Sequence, residues 1–157
     1  MPSSVTFLKF VGTVSLGLLT GVSYTLSTQS LPSLLTLPSA KPAASTLQQL
    51  TRISTLHIRA LSSLSALSLA LAYGLSAPRA RHPYLIWTSL VAATSGGLNL
   101  AMESRLVARV VQQDVGDVNG EEVEKRTRDQ QWIEAVRTVV GGIGFAMGVV
   151  GIWGDGA

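Results

Sequence analysis

The charged residues of this 157-residue chain are confined to a few places, and this confinement limits what the chain can fold into. Fourteen of its twenty-one Asp, Glu, Lys and Arg residues lie between Glu103 and Arg137. The rest of the chain contains four long stretches without a charge, at residues 10–40, 60–78, 83–102 and 138–154. A hydrocarbon core about 30 Å thick requires roughly 20 apolar helical residues. All four stretches are near that length, so the pattern predicts a small polytopic membrane protein.

The overall composition agrees with this interpretation. Charged residues make up 13% of the chain, about half of the roughly 25% found in soluble domains. The absence of Cys excludes disulfides and thiolate metal sites. The net charge of +3 comes from scattered basic residues, whereas nucleic-acid binding calls for Lys and Arg clustered on one face. We therefore expect a single membrane domain over residues 1–157, with the lipid bilayer and not nucleic acid as its surroundings.

The fold class predicted from this pattern is all-α, with four transmembrane helices. We expect them at about residues 5–27, 58–77, 84–102 and 133–153. A secretory signal peptide is the alternative for the first, but its apolar run is long for a signal core. Three prolines, at positions 32, 38 and 42, predict a non-helical linker or interfacial segment between the first two helices.

The charged segment 103–137 is predicted to be a hydrophilic loop with its own helical structure. Asn119 is a suitable N-cap for a helix, with Glu122 three residues later. Three Glu-to-Lys/Arg pairs follow at i,i+4 spacing, namely Glu121–Lys125, Glu122–Arg126 and Glu124–Arg128. These features predict that helices three and four extend into a solvent-exposed helical hairpin. Arg137 is expected to snorkel from the membrane edge towards water.

Glycines in the first and last helices indicate close helix packing. Gly17 and Gly21 form one G-x-x-x-G pair, and Gly144 and Gly148 form another. In lipid, small residues allow helix backbones to approach closely, and this packing drives helix association. A homo-oligomer formed through these glycine faces is one hypothesis.

The residue types needed for catalysis or metal binding are sparse. His57 and His82 are the only histidines, and neither has a carboxylate at ligand spacing. No nucleophile–base set and no glycine-rich phosphate loop after a strand are present. We therefore predict no catalytic residue, no cofactor, no metal site and no enzymatic activity.

Two short strings carry a family resemblance. Arg81-His82-Pro83-Tyr84-Leu85 opens the third helix, and Gly148-Val-Val-Gly-Ile-Trp-Gly-Asp-Gly156 lies at the end of the chain. With the glycine- and serine-rich first helix, they make the sequence similar to the fungal autophagy-related protein thirty-three family and its small four-helix outer-membrane paralogue. The family-matching positions have unknown roles; they are Arg81, His82, Pro83, Tyr84, Gly151, Gly154, Asp155 and Gly156.

The resemblance implies a multi-pass protein of the mitochondrial outer membrane that promotes mitophagy, the selective autophagy of mitochondria. The string Trp132-Ile133-Glu134-Ala135 lacks a final large aliphatic residue and is predicted to be helical, so an accessory or scaffold role is expected. A contact with the autophagy machinery would use the 103–137 loop. The alternative is a small four-helix membrane enzyme resembling anthrone-oxygenase-like proteins, in which His57, Arg59 or Tyr73 would line a cavity.

Overall fold

All regular structure in the described residues is helical. The structure, a computed structural model, describes residues 2–78, 81–110 and 119–154, and contains no strand in these ranges. The elements are α1 (Pro2–Thr25), a π-helical segment (Leu26–Ser30), α2 (Leu31–Leu34), α3 (Ala40–Leu75), α4 (Tyr84–Val110) and α5 (Gly120–Gly154). The all-α prediction is therefore confirmed.

The linker expected from the three prolines is much shorter than predicted. The chain remains helical beyond α1, since the N–H of Leu31 donates to the carbonyl of Leu26 in a π turn, and Pro32 lies in the first turn of α2. Only residues 35–39 interrupt the helix before α3. Pro42 falls in the first turn of α3, where a missing N–H costs nothing because such groups have no partner within the helix.

The long helices pack side by side in antiparallel succession. The Ser65 hydroxyl of α3 donates to the carbonyl of Gly12 in α1, at 2.8 Å. The Ser89 hydroxyl of α4 donates to the carbonyl of Ala66 in α3, at 3.0 Å. At 36 residues, α3 is about 54 Å long, well beyond the roughly 30 Å of a hydrocarbon core. The bundle is therefore longer than a hydrocarbon core is thick, and the part that would lie beyond the core is called the extension below.

The charged half of α5 belongs to this extension. Asn119 Oδ1 accepts the N–H of Glu121 at 3.1 Å, so the predicted cap is present. Two of the predicted ion pairs form, Arg126–Glu122 at 2.7 Å and Arg128–Glu124 at 2.8 Å. Helices α4 and α5 thus extend beyond the predicted spans, and residues 111–118 between them lie outside the described residues.

One side of that charged half is packed against the rest of the bundle. The Thr51 hydroxyl of α3 donates to Gln130 Oε1 at 3.1 Å, and the side chain of Thr127 is fully buried. Full exposure of the hairpin to solvent therefore does not follow from the structure.

The interior of the bundle combines an apolar core, which includes Leu16, Leu19 and Ile58, with many small polar side chains, while many large apolar side chains lie on the surface. The buried residues include the serines at 15, 23, 62, 65 and 68. The exposed residues include the leucines at 18, 56, 64, 67, 71 and 75. Such a surface is a liability in water, but in lipid it leaves the small residues for helix contacts. Three described helices are long and apolar enough to cross a membrane, at Ser4–Leu34, Ala40–Leu75 and Gly120–Gly154. A fourth span, in α4, stays a prediction.

Candidate functional site

Tyr84 joins the two strings that carry the family resemblance. Its ring, at the start of α4, lies against Gly151 near the end of α5. A Cβ at Gly151 would lie closer to the ring atoms than real Cβ atoms approach. A residue with any side chain would therefore have to displace the ring, and Gly151 is needed here for close approach. The fold brings together strings that are more than 60 residues apart in the sequence.

Two cationic or ionisable side chains surround the same ring. Lys9 Nζ of α1 lies 6.0 Å from the ring centroid of Tyr84, and the side chain of Lys9 is largely buried. The ring of His82 stacks on that of Tyr84, with 6.0 Å between the centroids and 29° between the planes. A cation over an aromatic face is stabilised by the ring quadrupole. Tyr84 thus connects α1, α4 and α5 at one end of the bundle.

Arg81 closes the turn that leads into α4. Its Nε donates to the carbonyl of Ser76 at 3.1 Å and its Nη2 to that of Gly74 at 3.5 Å. Its guanidinium also lies 5.6 Å from the ring centroid of Tyr73. A cation at a helix C-terminus satisfies carbonyls that have no helical partner. Arg81 therefore holds the turn against the end of α3.

The remaining family-matching positions are less informative. Pro83 accepts the N–H of Ile86 at 3.1 Å in the first turn of α4. A Cβ at Gly154 would meet nothing within 4 Å in the described chain. Asp155 and Gly156 lie outside the described residues. The contacts described here assign no role to these positions.

The glycines proposed for helix packing differ in their surroundings. A Cβ at Gly17 would lie 2.8 Å from the ring of Phe145, and one at Gly144 would lie 3.1 Å from Val91. A Cβ at Gly148 would lie 3.0 Å from Thr13 Oγ1. In contrast, a Cβ at Gly21 would meet nothing within 4 Å. Within the described chain, Gly21 is therefore not a site of close helix approach.

A buried ion pair is the feature that sequence reasoning missed. Glu134 and Arg137 form an i,i+3 ion pair on α5, with side chains only 4% and 1% exposed. The prediction that Arg137 snorkels to water is wrong. Arg137 lies on the same stripe of α5 as the buried Gly141 and Gly144, and a Cβ at Gly141 would lie 2.6 Å from Thr20 Oγ1 of α1. The glycines allow α1 to approach so closely that this stripe is sealed from solvent.

Polar groups of two other helices lie at the height of this ion pair. Ser23 lies between Thr20 and Ser27 in the sequence. Thr20 faces Gly141 of α5, and the carbonyl of Ser27 accepts Gln131 Nε2 at 3.0 Å. Ser23 therefore lies level with the middle of the segment from Gln131 to Gly141, where the ion pair is. Val91 of α4 faces Gly144 of α5. Asn99 lies about two turns after Val91, and Arg137 lies about two turns before Gly144. Because the two helices are antiparallel, Asn99 is level with Arg137. These residues contribute polar atoms with no hydrogen-bond partner in the described part of the chain: Ser23 Oγ, Asn99 Nδ2, Glu134 Oε2, Arg137 Nε and Arg137 Nη2.

One signal in the sequence could have indicated this pair. Glu134 and Arg137 continue the helical stripe of Gly141, Gly144 and Gly148 towards the charged half of α5. An acid and a base at i,i+3 on a packing stripe are placed to neutralise each other within the bundle.

The residues proposed for an enzyme do not converge. His57 is exposed, and its Nδ1 contacts the carbonyl of Ile53 at 2.8 Å. Tyr73 lies sixteen residues further along the same helix, a separation of about 24 Å. They cannot line one cavity together. Within the described residues there is also no group of three His, Cys, Asp or Glu side chains able to hold a metal ion.

Comparison with known proteins identifies the family. Residues 1–135 match the family described as Autophagy-related protein 33. This chain belongs to the autophagy-related protein 33 family. It is 36% identical over 185 aligned residues to Autophagy-related protein 33 of the fungus Gibberella zeae, and the alignment covers 99% of this chain and 93% of the relative. The resemblance seen in the sequence is confirmed, and a role in autophagy is supported.

The comparison also locates the site within the family. The string around Tyr84 lies in the matched residues 1–135, and the alignment with the fungal relative extends over nearly the whole chain. That alignment has more positions than this chain has residues, so the relative contains insertions that this chain lacks. No solved structure matches.

Proposed function

We propose that this member of the family is a non-enzymatic, four-span protein of the mitochondrial outer membrane that promotes mitophagy as an accessory or scaffold protein. The observation that carries the proposal is family membership combined with a bundle whose surface is strongly apolar. Small polar residues are buried beside an apolar core, and many large apolar residues are exposed on helices long enough to span a bilayer. Such a surface suits a membrane-embedded scaffold.

The accessory role is supported by the position of the one aromatic string in the charged segment. Receptors often bind a partner by adding an extended strand to the edge of a sheet. Here Trp132 and Ala135 are held within α5, and Glu134 between them is buried in an ion pair. Exposing this string as a strand would require unwinding the helix and breaking the pair. A contact with the autophagy machinery would instead use the outer face of the charged half of α5, where Lys125 and Asp129 are exposed.

The proposal is tested in fungal cells by tagging the full chain and by deleting its gene. We expect the tagged protein to colocalise with an outer-membrane marker. We also expect the deletion to slow mitochondrial turnover during starvation while bulk autophagy continues. Residence in another organelle, or an equal loss of bulk autophagy, would refute the proposal.

A charge exchange tests the contact with the autophagy machinery separately. Lys125→Asp together with Asp129→Lys preserves the net charge and lies on the exposed face, so the fold and the location should be kept. We expect mitochondrial turnover to fall in this variant although the protein still reaches mitochondria. Turnover equal to that of the wild type would place the contact elsewhere.

A further inference from the structure

An open groove lies between the π-helical segment and α5. It has a volume of about 580 Å³, within the range of small-molecule sites. Its walls are formed by Ser27, Thr28, Arg128, Gln131, Trp132 and Ala135. Neither the Tyr84 contact nor the Glu134–Arg137 pair contributes to it. The groove therefore needs its own explanation.

The π-helical segment forms one wall of the groove, through Ser27 and Thr28. A π-helical turn inserts one extra residue into a helix and alters its hydrogen bonding, and such turns are frequent at functional sites. Here the carbonyl of Ser27 accepts Gln131 Nε2 at 3.0 Å, which ties the π segment to α5. The next residue, Thr28, is exposed beside this contact, and its hydroxyl donates to the carbonyl of Tyr24 at 2.7 Å. The hydrogen bond from Gln131 to the Ser27 carbonyl thus links the two walls of the groove.

The position of the groove along α5 corresponds to the headgroup layer of a bilayer. Trp132 and Trp153 are 72% and 87% exposed, and their separation of 21 residues along α5 corresponds to about 32 Å. This distance matches the hydrocarbon thickness, and Trp is enriched at both of its boundaries. Arg128 lies one turn beyond Trp132, about 6 Å further out, which is the depth of lipid phosphates.

The charges of the groove select the class of lipid. Arg128 Nε and Nη2 both donate to Glu124 Oε1, at 3.0 and 2.8 Å, which uses two of the five N–H donors of a guanidinium. The pair is close to neutral, so it has no excess positive charge to favour an anionic lipid. The exposed indole of Trp132 offers a face to which a quaternary ammonium is attracted.

We propose that this groove binds the headgroup of a zwitterionic phospholipid. The phosphate accepts hydrogen bonds from Arg128, and the quaternary ammonium lies against the exposed face of the Trp132 ring. The proposal rests on insertion of the bundle into a bilayer, as in the function proposed above, but on none of its roles in autophagy.

The experiment uses the full chain reconstituted in bilayers of equal parts phosphatidylcholine and phosphatidylglycerol. After extraction into mild detergent, native mass spectrometry counts the lipids retained per chain. We expect retained phosphatidylcholine to exceed phosphatidylglycerol. Arg128→Gln should weaken retention about tenfold or more, since it removes a charge-assisted contact, and Trp132→Leu should weaken it several-fold. Arg126→Gln is the matched control, because Arg126 forms the same i,i+4 pair on α5 without lining the groove.

Several results would overturn the proposal: no retained lipid on the wild type, a preference for phosphatidylglycerol, or equal losses in Arg126→Gln and Arg128→Gln. If the Arg128 variant does not fold, the ratio of the two lipids on the wild type decides the question. Carbonate extraction of the membranes separates the two proposals. A chain that resists extraction yet retains no phosphatidylcholine contradicts the lipid site alone.

Discussion

The buried Glu134–Arg137 pair allows a quantitative prediction about stability. Glu134→Gln leaves the Arg137 guanidinium charged within a stripe where its side chain is only 1% exposed. Removing one partner of a buried ion pair costs about 3–5 kcal/mol, because the remaining charge is desolvated and uncompensated. We therefore expect Glu134→Gln and Arg137→Gln each to lower the free energy of unfolding by an amount in this range.

The double variant Glu134→Leu/Arg137→Met should behave differently. Replacing a buried ion pair by apolar side chains of similar volume is often neutral or stabilising. We expect the double variant to recover most of the stability that either single variant loses. The measurement is unfolding of the purified protein in mixed micelles with increasing sodium dodecyl sulfate, followed by circular dichroism.

The matched control lies on the same helix. Glu124→Gln breaks the Arg128–Glu124 pair, whose side chains are 64% and 55% exposed, and an exposed pair of this kind contributes less than about 1 kcal/mol. If Glu134→Gln is as mild as Glu124→Gln, the inner pair is hydrated and the reasoning from burial fails. Losses in the double variant that equal the sum of both single variants would show that the two charges do not compensate each other.

Three further predictions concern single contacts, each measured by the same unfolding assay. Gly151→Ala should lower the free energy of unfolding by about 1–3 kcal/mol, because the new methyl group overlaps the Tyr84 ring. In a Tyr84→Ala background the same substitution should cost much less. An unchanged cost in that background would mean that the ring is not the obstacle. Asn119→Ala should cost about 0.5–2 kcal/mol by removing the cap of α5, whereas Asn119→Asp should not. Gly17→Leu should destabilise the monomer, while Gly21→Leu should leave its stability unchanged, since of these two glycines only Gly17 has a close neighbour in the described chain. Equal effects of the two variants would contradict this packing. Chemical cross-linking then reports whether Gly21→Leu removes an oligomer.

Much of the fold could be predicted from local patterns. The charge-free stretches indicated the apolar helices, and Asn119 with the following Glu–Arg pairs indicated the start of α5. These features depend on neighbours within one or two helical turns, which a sequence displays directly. Pro42 was misleading because it falls in the first turn of α3, where the N–H that a proline lacks would have no helical partner. Pro32 was misleading because the helix continues into α2 through a π turn just before it.

The candidate sites were less accessible from the sequence. The strings around Tyr84 and Gly151 were noted for their resemblance to a family, but nothing local indicated that they touch. Arg137 was assigned to water because it lies near the end of an apolar stretch. Its burial depends on how closely α1 approaches the glycine stripe of α5, which is a property of two helices far apart in the chain.

The order of charged and apolar residues was sufficient to indicate a helical, lipid-suited chain, because hydropathy and helical periodicity act over a few residues. The family was indicated by resemblance, through two short strings. Tertiary structure alone decided which polar groups are buried. Glycines that look interchangeable in the sequence differ in what they face, with Gly17 against an aromatic ring and Gly21 against nothing within 4 Å. The environment of a side chain is set by its neighbours in space, and burial makes the i,i+3 pair Glu134–Arg137 far more costly to break than an exposed pair such as Glu124–Arg128.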